Sequence, residues 1–413
     1  MSDGGLRGYL IRNARWLAAG GLLTFLSCFG QTFFISVFAG EIRAEFDLSH
    51  GGWGGIYGIA TALSAVVMIW SGVMTDWFRV RMLGPIVLLG LAVACLGMAL
   101  NSWVILLPVV IFGLRLFGQG MSSHIALVAM ARWFQATRGR ALAIATLGFA
   151  FGEAVLPFGF VKAMARFDWR DLWIFCALVC VAGIPVLMWL LRRERTPQNL
   201  AKGESSTGMN DHHWTRGEAI SHPLFWFIVP SILGPSAFMT ATFFHQVHLA
   251  EVKGWEHLTF VSMFPVYTGL SILTAIATGV ALDRWGTARM MPLFQLPIIL
   301  GFLMFAFGNG VGALLLGFVL MAMTTGANTT LPSAFWAEFY GTAHIGSIKA
   351  LATAVMVLGS AIGPVLTGVL IDVGIGMETQ FLWFSLYFLM ACLLVRVGIS
   401  RAQTPPRARR RYT

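Results

Sequence analysis

The sequence predicts an all-α membrane protein with twelve transmembrane helices, arranged as two repeats of six. Three observations lead to this prediction: the composition, the spacing of the apolar runs and an internal repeat. Of the 413 residues, 57% are hydrophobic and only 11% are charged, whereas a soluble globular chain carries about 25% charged residues. This composition strongly disfavours a water-soluble enzyme of two or three domains.

Apolar runs long enough to cross a bilayer follow one another along the chain. A transmembrane helix needs about 20 apolar residues, and lipid admits only segments that satisfy their own backbone hydrogen bonds. The runs are therefore predicted to be helices. They are numbered here as spans 1 to 12: 16–39, 53–75, 82–101, 104–130, 140–162, 172–192, 223–249, 258–282, 289–308, 311–337, 347–371 and 379–398.

The longest hydrophilic stretch divides the spans into six and six. It predicts an N-terminal half (1–192), a flexible cytoplasmic linker (193–221) and a C-terminal half (222–400), followed by a basic cytoplasmic tail (401–413). Lipid tolerates few charges inside a span, so the polar residues of the linker and the tail are placed outside the membrane.

Lysine and arginine are distributed unevenly between the segments that join the spans. If the N-terminus lies in the cytoplasm, 22 of the 28 basic residues fall on the inside and 5 on the outside, while Arg115 lies within a span. Because cytoplasmic loops carry the excess of positive charge, we expect a multi-pass protein of the inner (plasma) membrane with both termini cytoplasmic. The net charge of +10 is spread between apolar runs, which argues against nucleic acid as a partner.

The ends of spans 2 and 8 carry the same pattern of glycine, aspartate and arginine, with a constant offset of 207 residues between the matching glycines and aspartates. Glycine allows two helices to approach closely, and an aspartate can face a helix N-terminus or pair with arginine. Such a pair can stabilise one orientation of a transporter and break in the other. We therefore predict a gating role for Gly72, Asp76, Arg81, Gly279, Asp283, Arg284, Gly286 and Arg289.

This pattern, Gly-x-x-x-Asp-Arg-x-Gly followed by basic residues, resembles the loop signature of the major facilitator superfamily, and the resemblance covers essentially the whole chain. The second copy matches it fully, whereas in the first copy Trp77 and Arg79 replace the signature's arginine and glycine. Residues 132–141 resemble a loop of the organic-anion branch, which includes oxalate/formate antiporters and monocarboxylate carriers. The resemblance implies the major facilitator fold, with spans 1, 4, 7 and 10 around a central cavity.

Arg115 is the most distinctive residue of the spans. It lies about 11 residues into span 4, which is about 16 Å deep. A charge at that depth costs at least about 2.5–3.5 kcal/mol and indicates a functional site by default; the alternative is a structural ion pair. A guanidinium suits a carboxylate. The predicted substrate-binding residues are Arg115, Gln119, Gln31, Asn328, Thr325 and His245, and His245 has an outer gate as its alternative role.

Glu153 is the only acidic residue deep in the predicted membrane region. It lies in span 5, within about 6 Å of the depth of Arg115. It can form an ion pair with Arg115 or carry a proton, and protonation would then release Arg115 for an anionic substrate. We predict proton coupling through Glu153, with a purely structural carboxyl as the alternative. At the offset of 207 residues, these two positions correspond to Ala322 and Ser360, so the charged chemistry is confined to the first half.

Together these features predict a secondary active transporter that moves a small organic anion, such as a monocarboxylate, by alternating access. No nucleotide-binding, nucleophile–base or metal-ligand pattern is visible in the sequence, so we expect no cofactor, no metal and no enzymatic activity. The expected partners are the solute, protons and the lipid bilayer, and the expected state is a monomer. Two alternatives remain: a drug or metabolite efflux transporter of the same fold, and a sensor that binds solute without moving it.

Overall fold

Twelve apolar helices follow one another along the residues described by this computed structural model, which are 6–134, 137–193 and 207–403. Ten are long and apolar enough to span a membrane, one bent pair passes the same test when its two helices are taken together, and one helix is shorter. They are α1 (Gly8–Gly30 and Thr32–Phe46, bent by 49°), α2 (His50–Ser71), α3 (Val80–Leu100), α4 (Val104–Trp133), α5 (Gly139–Met164), α6 (Trp169–Leu190), α7 (Pro223–Phe244), α8 (His257–Trp285), α9 (Leu296–Phe307), α10 (Val311–Tyr340), α11 (Ile345–Asp372) and α12 (Met377–Ala402). The prediction of an all-α, multi-pass membrane protein is confirmed.

Most helices extend beyond the predicted spans, because a helix continues into the polar residues at the membrane interface. The seventh and ninth spans are shorter than predicted by several residues. The ninth begins only at Leu296, since Pro297 occupies the first turn of α9, a position that proline favours. The seventh ends at Phe244, and a separate helix, Gln246–Lys253, follows it.

Packing divides the chain into two compact units that do not coincide with the two halves of the sequence. The first unit comprises Met1–Lys202, Thr240–Thr268 and Ser360–Gly374, and the second comprises Gly203–Met239, Gly269–Gly359 and Ile375–Thr413. The borders between the units run through α7, α8 and α11. One end of each of these helices therefore packs with the N-terminal six.

Aromatic side chains form much of the interior of the first unit. Phe34 of α1 contacts the rings of Phe160 in α5 and Trp173 in α6, with centroid distances of 4.9 and 5.5 Å. Both contacts are edge-on, an arrangement that the charge distribution of aromatic rings favours. They fix α1 against α5 and α6 close to the bend in α1.

The second unit also has an aromatic interior. The ring of Phe302 in α9 stacks on Phe381 and Phe388 of α12, with centroid distances of 5.6 and 5.8 Å. A further buried cluster joins Phe225 of α7 to Trp336 of α10, whose ring centroids are 5.8 Å apart. This cluster forms the end of the unit that receives the linker.

Residues 207–221 are ordered, although the sequence predicts a flexible linker. Thr215 and Glu218 form a reciprocal capping box at the start of a short helix, Arg216–Ser221, and this sequence pattern is typical of helix N-termini. The backbone N–H of Trp214 donates to the carbonyl of Tyr340, and the two rings meet edge-on at 5.7 Å. Trp214 thus supplies an apolar anchor on the end of α10. The rest of the linker, 194–206, and the tail from 404 lie outside the described residues.

Candidate substrate site

The bend in α1 provides the hydrogen-bond acceptors for the Arg115 guanidinium. The α-helix changes to a tight 3₁₀ turn at Ser27–Gly30, Gln31 is extended (φ −87°, ψ 151°), and the helix resumes at Thr32. A break of this kind frees backbone groups from the helical hydrogen-bond ladder. In a lipid environment these groups must find partners within the protein.

A widened segment of α4 lies directly against this bend. Residues Leu114–Ser122 are π-helical, a conformation that often marks functional sites. A Cβ at Gly30 would lie 2.0 Å from the Leu114 carbonyl oxygen, and a Cβ at Gly118 would lie 2.7 Å from the Cα of Gly30. Both contacts are with backbone, which cannot move aside, so only glycine allows α1 and α4 to approach this closely.

The close approach places the Arg115 side chain at the bend, with only 2% of its surface exposed. Its Nη1 donates to the Gly30 carbonyl at 3.2 Å and to Thr32 Oγ1 at 3.3 Å. The guanidinium carbon lies 5.2 Å from the centre of the Tyr57 ring. Its Nε has no acceptor, and no carboxylate of the described residues pairs with it. Neutral dipoles and a ring face alone thus surround a buried positive charge, which is a costly arrangement.

Two amide side chains lie at the same contact between α1 and α4. Gln31 lies between the two residues that accept from Arg115, and the backbone N of Gln119 lies 2.9 Å from the position of a Cβ at Gly30. Both side chains are half-buried. Neither side-chain amide hydrogen-bonds to another described residue. The structure therefore brings together three of the predicted substrate-binding residues: Arg115, Gln119 and Gln31.

Glu153 does not pair with Arg115 in this structure. Its Oε2 accepts a 2.8 Å hydrogen bond from Thr268 Oγ1 of α8, and both residues belong to the first unit. The sequence left two roles open for this carboxylate, an ion pair with Arg115 or the carrying of a proton, and the ion pair is not formed here. The observed partner is a neutral hydroxyl from the other half of the sequence.

His245 lies at a helix-to-helix contact of the first unit. It is 3% exposed, and its Nε2 lies 3.0 Å from the Pro364 carbonyl of α11. Its neighbour Gln246 is fully buried and donates through Nε2 to the Phe33 carbonyl at 3.2 Å and to Ser36 Oγ at 2.7 Å. Gln246 thus joins the segment after α7 to the bent part of α1.

Aromatic rings connect this contact to the site around Arg115. The Phe244 ring lies 4.5 Å from the Tyr57 ring and stacks on Trp53 at 5.4 Å, measured between centroids. Trp53 and Tyr57 belong to α2, and both are fully buried. The ring that faces the Arg115 guanidinium is therefore packed directly against the end of α7.

The two predicted contacts of α10 belong to the second unit. Thr325 Oγ1 donates to the Met321 carbonyl of its own helix at 3.1 Å. Asn328 is half-buried, and its amide has no hydrogen bond to a described residue of that unit. These two positions stay predictions from the sequence.

The first copy of the loop motif packs against α4. A Cβ at Gly72 would lie 3.5 Å from His124 Nε2 of α4, an ordinary van der Waals distance, and 2.9 Å from the Met68 carbonyl of its own helix. Arg132 of α4 donates through Nη1 to the Thr75 carbonyl, a contact that the sequence did not reveal. Arg81 is exposed, and the side chain of Asp76 lies outside the described part of the structure.

The second copy of the motif has different contacts. Gly286 ends α8 with φ +71°, a backbone conformation that favours glycine. Directly after it, Thr287 Oγ1 donates to Glu338 Oε2 of α10 at 2.6 Å, a partner not anticipated from the sequence.

The gating role of the remaining members of the second copy stays a prediction. A Cβ at Gly279 would meet nothing within 4 Å, so the predicted close approach is absent there. Asp283, Arg284 and Arg289 are exposed. They form no ion pair with the described residues of the second unit.

Comparison with known proteins identifies the family. A family model described as the Major Facilitator Superfamily matches residues 20–311 and 266–411, whereas no curated protein matches the sequence. A solved bacterial homolog of the human lysosomal transporter Spinster, in an inward-facing and unoccupied conformation, is 15% identical with a TM-score of 0.65, covering 94% of this chain and 96% of that chain.

Two other solved structures are similar over comparable lengths. The nucleoside transporter NupG is 13% identical with a TM-score of 0.71, covering 93% of this chain and 98% of that chain. A D-xylose-proton symporter is 14% identical with a TM-score of 0.69, covering 92% and 96%. At these identities the likeness shows the fold alone. Because the family model extends over nearly the whole sequence, the chain belongs to the major facilitator superfamily of transporters.

Proposed function

We propose that the protein is a secondary active transporter of a small organic anion, which binds at Arg115 and moves by alternating access. The observation that carries the proposal is the buried Arg115 guanidinium, which contacts two neutral oxygens and a ring but no described carboxylate. A charge buried in a span is costly unless it is paired. An anionic solute would supply the missing counter-charge during each transport cycle.

The surroundings of Arg115 favour a carboxylate with a single charge. A guanidinium presents a planar fork of donors that matches the two oxygens of a carboxylate. The half-buried amides of Gln31 and Gln119 add neutral donors and acceptors next to it. One cation at the contact between α1 and α4 balances one negative charge, which favours monocarboxylates over dicarboxylates.

Glu153 is proposed to couple transport to protons through α8. Its ionised carboxylate accepts a hydrogen bond from Thr268, and such charge-assisted bonds are about twice as strong as neutral ones. Protonation weakens this link between α5 and α8. In this proposal the proton weakens the contact between α5 and α8. It does not act by breaking an ion pair with Arg115.

The test is solute flux into proteoliposomes. The solutes are labelled monocarboxylates and dicarboxylates, a nucleoside, D-xylose and a lipophilic cation, each measured with and without a pH gradient. Monocarboxylate flux is expected to exceed the others. Arg115→Gln should reduce it about 100-fold, since each hydrogen bond to a charged group contributes about 1.5–3 kcal/mol. Arg166→Gln removes an exposed cation and serves as the matched control.

Each alternative has its own outcome in the same experiment. Intact monocarboxylate flux in Arg115→Gln would contradict the proposed site. Flux of the lipophilic cation alone would indicate an efflux transporter, and saturable binding of a carboxylate without flux of any solute would indicate a sensor. For proton coupling, Glu153→Gln should abolish the effect of the pH gradient while carboxylate exchange continues; an unchanged pH effect would contradict the role of Glu153.

We further propose the inner (plasma) membrane as the location, with both termini in the cytoplasm. The distribution of the 28 basic residues supports this orientation. In this orientation the segments after α1, α7 and α11 face outside. Labelling of a single cysteine introduced at Ser2 or at Glu256, an exposed residue between α7 and α8, tests it in sealed cells: a membrane-impermeant reagent should reach only the second.

A further inference from the structure

We propose that the first unit binds an anionic phospholipid with two phosphate groups at its arginine-rich end. The site consists of two adjacent pockets, named here the α3 pocket and the α1 pocket. This proposal does not depend on which solute is carried. It rests on the pockets, their charge and the apolar surface that continues from one of them.

The α3 pocket has a volume of about 460 Å³ and the α1 pocket a volume of about 490 Å³. The α3 pocket is lined by Arg79, Arg81, Met82 and Arg192. The α1 pocket is lined by Ile11, Arg12, Ala14, Arg15, Trp16, Arg192 and Arg193. Arg192 thus belongs to both pockets, and the described residues that line the two include six arginines and no acidic residue.

The positive charges are held together by the fold. Trp16 Nε1 donates to the Arg193 carbonyl at 2.9 Å, which fixes α1 to the segment after α6. The guanidinium carbons of Arg15 and Arg192 lie 5.2 and 6.0 Å from the centre of the Trp189 ring. None of the described carboxylates lies within ion-pair distance of Arg79, Arg81 or Arg192. Like charges placed this close repel each other, and a bound anion relieves the repulsion.

Arginine clusters of this kind suit phosphate. Guanidinium groups bind phosphate oxygens through paired hydrogen bonds, and basic pockets between membrane helices bind lipid headgroups with several phosphates. Two adjacent pockets that share one arginine match a headgroup with two phosphates. A single phosphate in one pocket would leave the arginines that line only the other pocket without a bound phosphate.

An apolar stripe extends from the α3 pocket along the helix and indicates a lipid as the ligand. Met82 lines the pocket and is 57% exposed. It begins a row of exposed side chains spaced three or four residues apart, which therefore share one face of α3: Met82, Ile86, Leu89, Val93, Leu96 and Leu100. A free phosphate ion would not bind to this apolar surface, whereas acyl chains can lie along it.

The same site explains why the first loop copy departs from the family signature. Arg79, which replaces the signature's glycine, lines the α3 pocket. Trp77, which replaces its arginine, is 75% exposed beside the pocket, and tryptophan favours the membrane–water interface. In this copy, the basic residues that follow the motif therefore face lipid phosphates.

The experiment measures lipid retention by the full-length protein in detergent, using native mass spectrometry. The probes are diphosphatidylglycerol, phosphatidylglycerol, phosphatidylcholine and inorganic pyrophosphate. Diphosphatidylglycerol should be retained most strongly. Arg81→Gln/Arg192→Gln should weaken its binding about 30-fold, from the contribution of two basic residues near a membrane surface. Arg396→Gln/Arg401→Gln removes two charges from α12 and should change it less than about twofold.

Several outcomes would overturn the proposal. If the α12 control weakened the binding of diphosphatidylglycerol equally, the loss of binding would be due to general surface charge. Full competition by pyrophosphate at the same concentration would indicate a free-anion site, and equal retention of phosphatidylcholine would indicate binding through the acyl chains alone. If the glutamine variant does not fold, Arg81→Lys/Arg192→Lys keeps the charge and loses the paired hydrogen bonds. The proposal then requires weaker retention than in the wild type, and unchanged retention contradicts it.

Discussion

Thr268 of α8 donates a 2.8 Å hydrogen bond to Glu153 of α5, and so joins the two halves of the sequence within one compact unit. Two further sets of bonds join the halves in the same unit. Gln246 donates to the bent part of α1, and the Asp372 carboxylate accepts from the backbone N–H groups of His50 and Gly51 at the start of α2. We call these three sets of hydrogen bonds the gate bonds, because the proposed alternating access requires such contacts between the two halves of the sequence to break.

A single cysteine can report on the breaking of these contacts. Val247 follows α7, and its Cγ1 lies 3.5 Å from the position of a Cβ at Gly40 of α1. The five native cysteines are all buried, so Val247→Cys would provide the main accessible thiol. The rate of its reaction with a water-soluble maleimide measures the fraction of molecules in which the segment after α7 has separated from α1.

Thr268→Val removes the donor to Glu153 while nearly preserving the shape of the side chain. A hydrogen bond to a charged group contributes about 1.5–3 kcal/mol, so the labelling rate should rise about tenfold. Thr146→Val is the control, because its hydroxyl donates to the Ala143 carbonyl of its own helix. An unchanged rate in Thr268→Val would show that this bond does not hold the gate closed.

Gln246→Leu should open the gate further, since it leaves the Phe33 carbonyl and Ser36 without their donor. The loss of two buried hydrogen bonds corresponds to about 2 kcal/mol, or a rise of about 30-fold in the labelling rate. The matched control is Gln295→Leu, because Gln295 is equally buried and donates to the Ser231 carbonyl within the second unit. The control should lower the melting temperature and leave the labelling rate unchanged. Equal effects of the two variants on the rate would contradict the assignment.

Asp372→Ala should act in the same direction. A carboxylate at a helix N-terminus stabilises the helix by about 0.5–2 kcal/mol. Ser49 is the N-cap residue of α2, and Asp372 of α11 adds a second acceptor for the first N–H groups of this helix. Asp168→Ala is the control, since Asp168 caps its own helix α6 through the Arg170 N–H. Both variants should lose stability, but only Asp372→Ala should increase labelling of Val247→Cys by about threefold or more. Increased labelling in the control would indicate that general loosening is responsible.

The sequence predicts the helices well, because a long apolar run in lipid has few alternatives to a helix. It predicts the depth of Arg115 and Glu153 from the rise per residue, yet depth does not determine which neighbours each side chain faces. The ion pair that the sequence left open is therefore replaced by separate partners, the α1 bend for Arg115 and Thr268 for Glu153. The offset of 207 residues likewise predicts equal roles for Gly72 and Gly279, whereas a Cβ would contact a neighbouring helix only at Gly72.

The bend in α1 was also not predictable from composition, because no proline marks it and Gly30 is one of 46 glycines. Its importance becomes visible only through the helix that packs against it. The linker can be predicted only in part. The capping box of Thr215 and Glu218 is a recognisable sequence pattern. The docking of Trp214 on Tyr340, however, depends on tertiary structure.

Gly30→Ala should abolish transport by separating α1 from α4. The new methyl group would lie 2.0 Å from the Leu114 carbonyl oxygen and 2.8 Å from the Cα of Gly118, and backbone cannot yield as a flexible side chain does. The separation should weaken the bond from Arg115 to the Gly30 carbonyl and lower the free energy of unfolding by about 1–3 kcal/mol. Gly55→Ala in α2 is the control, since a Cβ there meets nothing within 4 Å and alanine favours a helix by about 1 kcal/mol. Carboxylate flux and melting temperature are measured for both. Unimpaired flux in Gly30→Ala would show that the observed approach of α1 and α4 is not required in the transport cycle, and the site at Arg115 would then need a different geometry.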